Sequence, residues 1–162
     1  MNLIKNIDDV IGSLKRLRNN MPSMIYIPEH FIIEELVDPQ TFKDRGQKAF
    51  ELLDPLMLWT LDRMRENFGK ISINTWKWGG QYKYSGFRPK NCVEGSYYSQ
   101  HRLGRAFDLK LESYKPEEIR QAIKDDPDNE IFKYINCVEN GTPTWLHIDG
   151  RHTQERIKWV NP

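Results

Sequence analysis

At 162 residues the chain is sized for one domain, and a chain of that length buries roughly 70% of its unfolded surface without needing staples. With 38% hydrophobic and 29% charged residues, and five Trp, seven Tyr and seven Phe, the composition is globular and excludes a disordered chain. A net charge of +1 excludes a histone-like polyelectrolyte, and no apolar run approaches the ~20 residues of a membrane span.

Residues 1–22 place Leu3, Ile4, Ile7, Ile11, Leu14 and Leu17 at helical spacing, and Pro22 closes the run. An amphipathic helix is expected, docked on its own domain or presented as an arm to a partner; the spacing fits both. Asp8, Asp9 and four basic residues break any secretory apolar core there, so synthesis in the cytoplasm without a signal peptide is expected. Cys92 and Cys137 are the only cysteines, too few for a disulfide framework or a Cys-rich zinc site, and free thiols are expected.

Between residues 23 and 69, Pro28 and Asp38-Pro39 cut the chain into short pieces before a helix. Phe50, Leu53, Leu56, Met57, Leu61 and Met64 recur at helical spacing, but Pro55 removes a hydrogen bond from any helix running through it. The preferred reading starts a new helix there, with Asp54 as N-cap and Pro55 in the first turn. Gly69 suits the position just past its end.

From Lys70 onward, short strands and loops are expected. Ile71, Ile73 and Thr75 alternate, Tyr82, Tyr84 and Phe87 follow the Gly79-Gly80 turn, and Ala106–Leu111 alternates again. Lys115–Lys124 reads as a short helix opened by Pro116, with Glu117 and Glu118 favourable to its dipole. Tyr134–Val138 and Trp145–Asp149 read as a hairpin around Asn140-Gly141, and Ile157–Val160 as an edge strand. Strands that follow helices without a βαβ rhythm define an α+β protein with a small, mostly antiparallel sheet packed against helices.

The chemistry-bearing residues are concentrated. A lone strand histidine is most often structural, but His101, Asp108 and His147 together offer two nitrogens and an oxygen, and three protein ligands leave one position open, as in catalytic zinc sites. The stretch from Lys70 to Phe107 also carries several basic side chains against the single acid Glu94, interleaved with Trp76, Trp78, Tyr82, Tyr84, Tyr97 and Tyr98. That texture suits a cleft for a carboxylate-bearing peptide, then a solvated face, and only distantly single-stranded nucleic acid.

Ser99-x-His101-x-x-Gly104-x-Ala106-x-Asp108, followed by Trp145-x-His147-x-Asp149, resembles the zinc-dependent D-Ala-D-Ala carboxypeptidase and L-Ala-D-Glu endolysin family, which shares its fold with the hedgehog signalling domain. By average residue frequencies the first motif alone would arise by chance about once in ten thousand chains of this length. Ser85-Gly86-Phe87-Arg88-Pro89 resembles a further family element, and weaker echoes lie at Phe31-x-x-Glu34-Glu35-Leu36 and Asn67-Phe68-Gly69. Residues 1 to about 28 have no counterpart in the family, and the peptidase-like domain is expected over residues 23–162, after the N-terminal helix of residues 1–22.

The resemblance implies a hedgehog/DD-peptidase fold and zinc held by His101, Asp108 and His147. It implies Arg88 steadying the substrate carbonyl as it becomes an oxyanion. Ser99, Tyr98 and Trp145 would line or support the site, and Gly104 and Ala106 would be small for packing. The metal would acidify its water toward a pKa of ~7 and polarise the scissile carbonyl. Many members carry a general-base carboxylate three residues before the second histidine, where this chain has Thr144. Asp149, two residues from His147 on one strand face, is then expected either to orient His147 or to act as base, with Glu139 and His152 as further candidates. The implied substrate is a peptidoglycan peptide, and the implied setting a bacteriophage, either as an enzyme released at lysis or as a virion component docked to structural proteins through residues 1–22. The alternative is an inactive domain that binds the wall.

Overall fold

The computed structural model describes residues 25–162, and the helix expected over residues 1–22 lies outside the described residues. Two Asp-Pro pairs start helices. Asp38 caps α2 (Pro39–Arg45) by accepting from Gln40 N and Thr41 N, after a single-turn α1 (Ile33–Leu36). Asp54 caps α3 (Pro55–Phe68) by accepting from Leu56 N at 2.9 Å and Met57 N at 3.2 Å. Pro55 therefore sits in a first turn, where its missing N–H costs nothing. Residues Gly46–Leu52 form a 3₁₀ segment that ends before it, so no helix runs through Pro55.

Met57, Leu58, Leu61 and Met64 are the buried face of α3. Each such side chain contributes about 1.5–3 kcal/mol by leaving water. They share one core with Phe107, Leu109, Leu146 and Ile148 of the sheet. The buried Asp62 carboxylate faces the incoming chain instead, accepting from the Tyr26 hydroxyl and from Glu29 N and His30 N.

The sheet has five strands: β1 (Ile71–Ser72), β2 (Ala106–Leu111), β3 (Cys137–Glu139), β4 (Leu146–Asp149) and β5 (Lys158–Val160), in the order β1-β2-β4-β3-β5. Pairings β1–β2, β2–β4 and β3–β4 are antiparallel, but β5 lies parallel to β3 at the edge, making the sheet mixed. The protein is thus α+β, with a mixed five-stranded sheet and four helices among the described residues. Helix α4 (Pro116–Asp125) matches the expected short helix, and its Glu118 carboxylate accepts from Lys115 N at 2.6 Å.

The expected strand after Lys70 is only two residues long, and the Tyr82–Phe87 stretch contains no strand. Its backbone groups are satisfied locally: Thr75 N donates to Tyr82 O, Ser85 N to Asn74 Oδ1, and Phe87 N to Leu36 O. Aromatic alternation here serves loop packing rather than a ladder.

The central pairing positions the site. Phe107 and Leu109 of β2 face the core opposite Ile148 and Leu146 of β4, so alternation turns Asp108 and His147 to the other face. They are direct cross-strand partners.

Candidate metal centre

His101 lies in the 3₁₀ turn Gln100–Leu103, which Gly104 closes with φ +69°. A side chain at position 104 would be strained by that φ and would overlap the Leu52 carbonyl, so the small residue here is a packing requirement. The ring of His101 is buried, and its Nδ1–H donates to Gly86 O at 2.8 Å. Burial lowers its pKa below the ordinary histidine value despite the nearby Asp108, which favours the neutral ring. With Nδ1 protonated, Nε2 keeps its lone pair and points to Asp108 Oδ1, 3.4 Å away. Gly86 is held in turn by its fit against α1, since a Cβ there would meet the Leu36 carbonyl.

Asp108 collects three partners. Oδ1 receives His147 Nδ1 at 2.8 Å and faces His101 Nε2, while Oδ2 accepts from Arg88 Nη2 at 3.0 Å. Burial opposes its charge, but the two imidazoles outweigh it and hold the carboxyl well below the usual carboxylate range. His147 is bracketed by acids, Nδ1 on Asp108 and Nε2 on Asp149 Oδ2 at 3.1 Å. Burial disfavours the charged ring, yet the two carboxylates push its pKa up to about 9.

His101, Asp108 and His147 thus form a group able to hold a metal ion, with ligand atoms all within 4.8 Å of one another. The donor set, two imidazoles and a carboxylate, suits a divalent transition metal. The atoms behind the donors are also arranged for it: Gly86 O fixes the His101 tautomer and Asp149 takes the His147 Nε2–H, the pattern that orients metal-bound imidazoles.

Asp149 is fully buried at 0% exposure. Besides His147 it accepts from Arg151 through Nε, Nη2 and the backbone N. Burial raises its pKa, but these bonds prevail and bring it down to about 2. Of the two roles expected for Asp149, this geometry fits orienting His147. Beside it, burial and the Asp149 charge push the Cys137 thiol up to about 12. Both cysteines are free and buried. Cys137 should therefore resist iodoacetamide at pH 8 in the native protein, where the thiolate is scarce, and label together with Cys92 after denaturation without reductant. Native labelling of Cys137 at the rate of a small thiol would contradict this environment.

A cavity of about 550 Å³ opens on the cluster, lined by Arg88, Tyr98, Ser99, Glu139, Trp145 and Arg151 as well as the three ligands. Arg88 is tethered by Nε to Tyr84 O at 2.7 Å and by Nη2 to Asp108, leaving Nη1 without a hydrogen bond among the described residues. Glu139, at the end of β3, has a side chain with no hydrogen bond or ion pair among the described residues. Tyr98 is exposed at the rim. Thr144 lies in an adjoining cleft that shares Arg88, Asp108 and Trp145 with the cavity. His152 is exposed and does not line the cavity, and His30 pairs with Glu66 instead.

Sequence reasoning missed three contributors. Arg151 continues the same-face alternation from His147 and Asp149, a spacing that offered a signal. Arg120, buried on α4, donates to the carbonyls of Glu139, Thr142 and Trp145 and so pins both flanks of the loop that carries two cavity residues. Lys110 lies two residues beyond Asp108 on the same face, and burial lowers its pKa. No protein-family model matches the chain, and neither curated proteins nor solved structures give a significant match.

Proposed function

We propose that the chain is a zinc metallopeptidase acting on stem or cross-link peptides of bacterial peptidoglycan, of the D-Ala-D-Ala carboxypeptidase or L-Ala-D-Glu endolysin type, and phage-encoded. The observation that carries this reading is the convergence of His101, Asp108 and His147 in one cavity, with Arg88 on Asp108, in the order of the resembling motif. Tetrahedral zinc with bonds near 2.0–2.1 Å separates its ligand atoms by about 3.3 Å. The 3.4 Å between His101 Nε2 and Asp108 Oδ1 fits that, and the 2.8 Å hydrogen bond from His147 needs to open by only ~0.5 Å when metal replaces its proton.

When bound, zinc supplies Lewis-acid polarisation of the scissile carbonyl and an acidified water. The protein's own groups supply the rest. Arg88, held by two of its nitrogens, keeps the third for the carbonyl oxygen as negative charge develops, so the guanidinium need not reorganise at that moment. Glu139, a carboxylate lining the same cavity, accepts a proton and passes it to the leaving amine in this reading. Asp149 and Arg151 keep the Nε2–H of His147 fixed, so Nδ1 is the atom offered to metal. Trp145 walls the cavity against bulk water.

A second reading, a wall-binding domain of a virion without hydrolysis, is favoured by one observation: Thr144 occupies the place where many members of the family carry their base, and it is exposed in the side cleft. Among the described residues no helix is long and apolar enough to cross a membrane. Zinc-loaded protein incubated with purified muropeptides between pH 5 and 9 should release new amino groups, and a chelator should stop the release. Binding without any release across that range selects the second reading.

A further inference from the structure

Two tryptophans of one 3₁₀ turn, Trp76–Trp78, have opposite surroundings. Trp76 turns inward: its Nε1–H donates to Val37 O at 2.9 Å, and its ring packs against Phe42 with centroids 6.1 Å apart. Trp78 is 59% exposed and makes no hydrogen bond or ring contact through its side chain among the described residues. The backbone that carries it is nevertheless fixed. Trp78 N and Gly80 N both donate to Thr75 O at 3.0 Å, Thr75 N donates to Tyr82 O, and Tyr82 N donates to Thr75 Oγ1. Gly79 closes the turn at φ +79°, a left-handed conformation that glycine adopts without strain. A large indole held in water by a braced turn marks a binding surface.

Trp78 lines a cavity of about 520 Å³ that shares no residue with the metal cavity or its adjoining cleft. Ile32 forms a second apolar wall, and Glu35 of α1, Arg65 of α3, Ser72 of β1 and Thr75 supply polar groups. The charges there are already matched. Arg65 lies 3.9 Å from Glu35 and donates to Ile71 O, and Lys70 at the edge lies 3.4 Å from Glu112. Little charge is therefore left over to recruit an ion. What remains for a ligand is the indole face and Nε1–H of Trp78, the apolar Ile32, and the hydroxyls of Ser72 and Thr75. A flat apolar face flanked by neutral hydrogen-bonding groups matches a pyranose ring, which has a C–H face and hydroxyls around its edge.

We propose that this pocket binds a neutral saccharide, stacked on Trp78. The pocket's chemistry gives the class of ligand; the wall reading, on which this part rests, gives its identity as the N-acetylated glycan strand that carries the stem peptides. Ser72 pairs with Lys110, two residues along β2 from Asp108. At ~3.3 Å per residue and ~4.8 Å between strands, about 8 Å separates the backbone at Ser72 from that at Asp108. A peptide of a few residues, at up to about 3.6 Å each, reaches from a sugar in this pocket to the metal centre.

The test titrates N,N′,N″-triacetylchitotriose into the full chain by calorimetry, before and after chelator treatment. A Kd of about 1 mM or tighter is expected, unchanged by the chelator. Trp78→Ala should weaken binding about tenfold or more, and Trp78→Tyr should stay within about threefold of wild type. Because Trp78 is exposed, its loss should leave the thermal midpoint at the wild-type value. No binding up to about 10 mM, or equal binding by Trp78→Ala, would overturn the proposal. So would a lowered midpoint in Trp78→Ala beside a wild type that binds no saccharide, the result expected if this chain's own residues 1–22 cover the indole. A chain that binds the trisaccharide through Trp78 but cleaves no muropeptide refutes hydrolysis and leaves this site standing. A zinc enzyme that cleaves muropeptides and ignores the trisaccharide refutes this site alone.

Discussion

Glu139→Gln is expected to lower muropeptide cleavage by about 10²-fold or more while zinc content and the thermal midpoint stay at wild-type values. A positioned general base typically contributes ~10²–10⁴-fold, and Glu139 is the carboxylate among the described cavity-lining residues whose side chain makes no hydrogen bond or ion pair. Arg120 fixes its backbone carbonyl at 2.8 Å. Asp149 is differently placed. Its oxygens are occupied by Arg151 and His147 and it has no exposed surface, so a proton has no path to it from a bound water. Asp149→Asn should therefore weaken metal affinity by about 10–100-fold, the usual cost of losing a carboxylate behind a ligating histidine, with activity recovering at high zinc. The two variants separate the two roles: one loses turnover with metal retained, the other loses metal first. Full activity in Glu139→Gln would remove Glu139 from the mechanism.

His147→Ala is expected to reduce bound zinc from about one per chain to less than about a tenth after dialysis, and to abolish cleavage. Two ligands remain in that variant, and the lost imidazole is the one that both Asp108 and Asp149 hold in place. Asp108 keeps the Arg88 guanidinium and Asp149 keeps Arg151, so neither carboxylate is left as an unpaired buried charge and the fold should survive. Metal analysis beside a thermal melt checks both halves. Zinc retained at wild-type stoichiometry would place the metal elsewhere.

Much of this arrangement was legible in the residues because it rests on short-range rules. Asp54-Pro55 signals a helix start through the missing N–H of proline and the capping carboxylate, and the structure begins α3 there. Alternation in Ala106–Leu111 and Leu146–Asp149 puts Asp108 and His147 on the face away from the core, and the antiparallel register then makes them neighbours. What could not be read depends on distant partners. Nothing local says that the Gly86 carbonyl meets His101 fifteen positions later, or that β5 returns parallel to β3. The aromatic alternation of Tyr82 and Tyr84 imitates a strand, but its backbone bonds go to Asn74, Thr75 and Leu36 in a loop.

The central claim is that His101, Asp108 and His147 hold one zinc ion, and anomalous X-ray scattering at the zinc edge from crystals grown with zinc tests it most directly. A single strong peak bonded to His101 Nε2, Asp108 Oδ1 and His147 Nδ1, at about 2.0–2.2 Å, is the predicted result. No peak in that cavity, or zinc bound through Cys92, Cys137 or His152 instead, would contradict it.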